Sequence, residues 1–167
     1  MAKNLISLTY ADLRNANWAI RRKIIETLNK NVRDALPEYL KPREELSGKG
    51  ENGERYSFST PELEARNLLF AIEFESGNYG KCFFGFKNTN SEIKSLSAPS
   101  LEQAFKNEFN SFNSSQWWPA WEWLTPRDWN DDVFAAIQFG KFHEEIVAIV
   151  KKLKLVADKI TQDSVMA

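Results

Sequence analysis

The sequence predicts an α+β fold: a small antiparallel sheet packed against long helices at the two ends of the chain. Three observations carry this. Apolar residues recur at helical spacing near both termini. An alternating apolar segment and its aromatic return flank a glycine-containing connector between them. A proline-punctuated run holding five of the six tryptophans follows. With 167 residues, 43% of them apolar, the chain is long enough to bury a core of its own, and residues 1–167 are read as one domain.

The first helix is expected over residues 10–36, capped by Ser7 or Thr9. At about 100° per residue, Leu13, Ile20, Ile24, Leu28, Val32 and Ala35 share one arc, with Trp18 and Ile25 at its edge. Arg22, Lys23, Lys30 and Arg33 lie opposite. Arg21 is the anomaly, a cation among the apolar positions. Pro37 ends the pattern, because the residue before a proline avoids the helical region.

Residues 41–55 read as a polar loop, with glycines at 48, 50 and 53. Residues 56–60 alternate as a short strand. Residues 68–87 then form a hairpin, in which Leu68, Phe70, Ile72 and Phe74 share a core face while Glu73 and Glu75 point the other way. Leu101, Ala104, Phe105, Phe109 and Phe112 follow a helical spacing. Asn130 and Asp131 suit the start of a short helix closed by Gly140. The last helix, about 141–162, carries Phe142, Ile146, Ile149, Leu153, Val156 and Ile160 as a heptad seam, expected to pack on its own domain or on the first helix.

The segment from Trp117 to Trp129 admits two readings. Its rings, Trp117, Trp118, Trp121, Trp123 and Trp129, either plug the space between sheet and helices or form an aromatic binding surface. Pro119 and Pro126 suggest an irregular stretch covering one edge of the sheet, with most rings buried and one or two at the surface. Glu122, Asp128, Asp131 and Asp132 make the neighbourhood acidic, which disfavours phosphate. Arg21 joins the tryptophans as a candidate binding residue, against a core-edge ion pair as the simpler role.

Several chemistries are excluded or weakened. Cys82 is the only cysteine, so neither an intrachain disulfide nor a thiolate zinc site can form. His143, the only histidine, sits off the seam beside Glu144 and Glu145 and reads as solvated rather than catalytic. No glycine-rich phosphate loop occurs. Carboxylates survive: Glu73 and Glu75 could hold magnesium, and Glu92-Ile93-Lys94 has a nuclease-like spacing within a polar connector. Paired acids on a wet sheet face explain the same pattern without any metal, so no cofactor is expected. The formal net charge of −1 gives no support to nucleic-acid coating. No run approaches the roughly 18 apolar residues of a membrane span. These features point to the cytoplasm and to a protein partner, with self-association left open.

The run from Trp117-Trp118-Pro119 through Trp123, then Arg127-Asp128-Trp129, the short helix ending at Gly140, and Ile146, Ile149 and Leu153 resemble the C-terminal region of large bacterial PD-(D/E)XK nuclease superfamily proteins. The aromatic return Phe83-Phe84-Gly85-Phe86 is compatible, and the resemblance spans residues 65–160. No aspartate strand followed by a buried Asp/Glu-x-Lys strand is present, so no catalytic residue carries over. The resemblance implies an accessory or binding portion of a nuclease or phage-defence system. The alternatives are a metal-dependent nuclease-like enzyme using Glu73 and Glu75, and an aromatic platform for carbohydrate or unpaired bases along Trp117–Trp129.

Overall fold

The computed structural model describes residues 10–46, 53–75, 79–90, 99–140 and 142–162. In chain order the elements are α1 (Tyr10–Ala35), a single 3-10 turn (Glu38–Leu40), β1 (Arg55–Phe58), α2 (Pro61–Glu64), β2 (Leu68–Phe74), β3 (Lys81–Asn88), α3 (Pro99–Glu108), β4 (Ala120–Asp128), α4 (Asp131–Phe139) and α5 (Phe142–Gln162). The four strands form one antiparallel sheet in the order β1-β2-β3-β4. The fold is α+β, and none of the described helices is long and apolar enough to cross a membrane.

Side-chain alternation divides the sheet. Tyr56, Phe58, Leu68, Phe70, Ile72, Phe74, Cys82, Phe84, Phe86, Ala120 and Leu124 point into the main core, where they meet the buried residues of all five helices. Phe58 stacks on Phe70 with centroids 5.1 Å apart. The opposite face gathers Leu69, Ala71, Phe83, Trp118, Trp121 and Trp123 into a second, smaller cluster that contains no helical residue.

The helices lie as their apolar stripes require, with three revisions, the first being that α3 ends at Glu108 and leaves Phe109 and Phe112 beyond it. Among the described side chains of α1, which begin at Asn17 and so leave Leu13 outside, the buried residues are Ile24, Ile25, Leu28 and Val32, continued by Leu36, while Ile20 and Ala35 are exposed. Ile20 instead borders a groove against α4. The buried stripe of α5 is wider than a heptad seam: Val147, Val150 and Ala157 are buried as well, and Ile149 only partly. The reason is that α5 packs against α1, α3 and α4 and also reaches β2. A two-partner seam cannot cover that many neighbours.

The largest revision concerns the tryptophan segment. It is not an irregular cover but the fourth strand itself, paired with β3 through Phe83–Trp123, Phe84–Glu122, Gly85–Trp121 and Phe86–Ala120. Tryptophan suits a half-buried pleated surface. Pro126 is tolerated because β4 is an edge strand, and because residues 124–127 bulge out opposite Cys82 alone, between the Phe83–Trp123 and Lys81–Asp128 pairs. The 41–55 loop is also partly structured. Glu44 bridges to Ser57, Leu46 is buried, and Arg55 opens β1. Both sheet edges thus end in a single bridge, Glu44–Ser57 on one side and Asn113–Trp121 on the other, which blunts them against pairing with another chain.

Candidate binding face

Phe83 is the centre of the small cluster. Trp118, Trp121 and Trp123 meet its ring edge-on, with centroids 4.7, 5.6 and 5.7 Å away. Trp121 and Trp123 also meet each other edge-on, at 5.3 Å and 86°. The arrangement depends on Gly85. A Cβ there would lie 2.2 Å from the Ala120 carbonyl oxygen and 2.6 Å from Trp121 Cα. Only glycine lets β4 approach this closely.

The turn leading into β4 is pinned at several points. Asn88 N–H donates to the Trp117 carbonyl (2.8 Å) and Asn88 Nδ2 to the Gln116 carbonyl (2.6 Å). Ser115 and Trp118 exchange two bonds: Ser115 N–H donates to the Trp118 carbonyl, and Trp118 N–H to Ser115 Oγ. These bonds fold Trp118 against Phe83 and leave it 8% exposed, while Trp117 stays 49% exposed. Trp121 and Trp123 are half-buried.

Cations edge the aromatic patch. Lys87 Nζ lies 5.2 Å from the Trp118 ring centre and donates to Glu73 Oε2 at 2.6 Å. Arg55 also approaches Glu73 (3.4 Å) and pairs with Glu44 (2.5 Å), which accepts from Ser57 Oγ. The Arg127 guanidinium sits 4.5 Å over Trp123. It is exposed and has no anionic partner among the described residues. Trp123 also lines a shallow cavity of about 180 Å³ at the β4 edge, together with Glu108, Phe109, Glu122, Glu145 and Lys152.

The site residues expected from sequence therefore separate. Trp118, Trp121 and Trp123 come together, while Trp117 stands exposed in the turn before β4, outside their cluster. Trp129 does not join them: it is 4% exposed in the main core, edge-on to Phe74 and Phe142. The bulge shifts the strand's phase and sends its side chain through the other face. Arg21 is elsewhere too, against Phe134 and paired with Asp131. Of the acids that made the segment look hostile to anions, Glu122 shares the row of Tyr56, Ile72 and Phe84 on the helix side. Asp131 and Asp132 begin α4.

Glu73 and Glu75 do not form a shared centre. Glu73 is buried between two cations, and Glu75 lies exposed past the end of β2. Among the described residues no three His, Cys, Asp or Glu side chains gather as metal ligands. Glu92-Ile93-Lys94 lies outside the described residues. Cys82 is wholly buried, and burial pushes its thiol well above the ordinary value, so it presents no thiolate. His143 is partly buried rather than freely solvated.

Sequence reasoning missed Phe83, Gly85, Lys87, Arg55 and Arg127. The signal for the first two was legible: a glycine inside an aromatic strand marks a close backbone approach. Comparison with protein-family models, curated proteins and solved structures yields no match to this chain.

Proposed function

We propose that this chain is a non-catalytic binding module that docks a protein partner on the β3–β4 face opposite the helices. The observation that carries the reading is the cluster of Trp121 and Trp123 on Phe83, partly open to solvent on a face where no described helix packs, with Arg127, which has no anionic partner among the described residues, beside it. Tryptophan and arginine are the side chains that most often dominate protein interfaces.

A stacking platform for bases or sugars is less well supported. Such a platform needs flat ring faces free for a ligand. Here Trp121 and Trp123 are perpendicular to each other and to Phe83, and Arg127 already covers one face of Trp123. The metal-dependent alternative loses its acids, because Glu73 is neutralised by Lys87 and Arg55. The resemblance of residues 65–160 makes a nuclease or phage-defence assembly the first setting to test.

The test compares the wild-type chain with a Trp121→Ala/Trp123→Ala variant as bait, with Lys30→Gln, at an exposed position of α1, as a control away from this face. Partners held by wild type and control but lost from the double variant support docking on this face. Equal capture by all three baits contradicts it. Incubation with DNA and RNA in magnesium or manganese should give no cleavage. Cutting that disappears in Glu73→Gln would restore the enzyme reading.

A further inference from the structure

We propose that the groove between α1 and α4 is a binding site for a small apolar carboxylate, anchored by Arg21, with Asp131 acting as an internal stand-in for that ligand. The inference is independent of the aromatic face. Arg21 occupies the buried side of α1, where its guanidinium lies 4.7 Å over the Phe134 ring and its Nη2 donates to Asp131 Oδ1 at 2.8 Å.

The two partners are unequally placed. The arginine side chain is 26% exposed and the aspartate 86%. A cation held in an apolar wall gains strongly from a charge-assisted bond. A solvated surface carboxylate keeps its hydration and adds little. The cation is therefore fixed and its anion replaceable. Arg21 Nε is buried without a hydrogen-bond partner among the described residues, so Asp131 leaves the guanidinium under-satisfied.

Beside it opens a cavity of about 220 Å³ whose walls are Ile20, Ile24, Phe134 and Ala135, with the amides of Asn17 and Gln138 also in the lining. The volume lies below the ~300–1,000 Å³ of pockets for drug-sized ligands, which sets the ligand at about the size of one residue. A carboxylate bonded to Arg21 would lay a short branched chain against Ile20 and Ile24. Ile20 is an exposed large apolar side chain, and such a ligand would cover it.

The chemistry is shared by a free short-chain acid and by the C-terminal carboxylate of a peptide ending in an apolar residue. Three probes separate the cases: N-acetyl-leucine, isovalerate, and the uncharged N-acetyl-leucinamide. The readout is amide chemical shifts of the full chain. We expect saturable shifts at Asn17, Ala135 and Gln138 with the two acids and none with the amide. Tighter binding of N-acetyl-leucine assigns the site to a peptide terminus, and tighter binding of isovalerate to a free acid. Arg21→Gln should weaken the acids about tenfold or more, the loss expected for one charge-assisted bond. Asp131→Asn should tighten them, since it removes the competing anion. It also decides the matter if Arg21→Gln fails to fold. Equal response to acid and amide, or weaker binding in Asp131→Asn, would overturn the proposal.

Discussion

The two faces of the sheet use the same aromatic residue type in opposite ways. On the helix side, Trp129 is closed in by Phe74, Phe134 and Phe142, with edge-on contacts on several sides. On the other side, Trp121 and Trp123 pack on Phe83 and on each other, and then stop at solvent. Both sets have good aromatic geometry. What separates them is enclosure: a ring surrounded by helices carries the fold, and a ring packed on one side only has surface left for a partner. The neighbouring charges differ in the same sense. Lys87, Arg55 and Arg127 edge the open face. The core side holds Tyr56, whose hydroxyl is buried without a partner among the described residues.

The comparison would break first at Trp129. Trp129→Ala empties a large enclosed site and should cost ~3–5 kcal/mol in chemical denaturation, with Phe70→Ala in a similar range. A wild-type midpoint for Trp129→Ala would place that ring outside the core. Gly85→Ala should come next, at roughly 1–3 kcal/mol, because its Cβ has no room against Ala120 and Trp121. This substitution should also raise the solvent exposure of Trp121, since β4 must move away from β3.

A smaller effect is expected from alkaline pH. Burial raises the Tyr56 phenol well above its ordinary 10.0 and the Cys82 thiol well above its ordinary 9.0. Both groups ionise in the unfolded chain before they ionise in the fold. The folded state then holds more protons, and stability falls as pH rises past about 9 and further past about 10. Tyr56→Phe should flatten the upper part of that decline. At neutral pH it should be nearly neutral or stabilising, because it deletes an unpartnered buried hydroxyl. A steep decline unchanged in Tyr56→Phe would assign the alkaline loss to other groups. The smallest effect belongs to the exposed turn before β4: Trp117→Ala should change stability by less than about 1 kcal/mol, as surface substitutions generally do. A loss as large as that of Trp129→Ala would make Trp117 a core residue in all but exposure.

Much of the fold was legible in the sequence, because its signals are periodic. The alternation of Leu68, Phe70, Ile72 and Phe74 places those four residues in the core, as found. Asn130 caps α4 through bonds from the Asp132 and Val133 amides. The tryptophan segment was harder to read, since two prolines mask a strand whose alternation survives in Ala120, Trp121, Trp123 and Leu124. The facing of Trp129 was not legible at all. In a regular strand its even separation from Trp123 would put both rings on one side. The bulge at residues 124–127 reverses the phase, and a bulge is visible only in the pairing. Arg21 was recognisable as an anomaly, but its partner Asp131 lies 110 residues away, a distance no local pattern spans.

The central claim is that one face of the sheet is closed by the fold while the other is left for a partner. The most direct test labels the indoles with 5-fluorotryptophan and adds a soluble paramagnetic agent to the full-length chain while fluorine spectra are recorded. Broadening of Trp117, Trp121 and Trp123, with Trp118 and Trp129 sharp, is the result expected from the structure. Trp121 and Trp123 as protected as Trp129 would make the outer cluster a second closed core and contradict the claim.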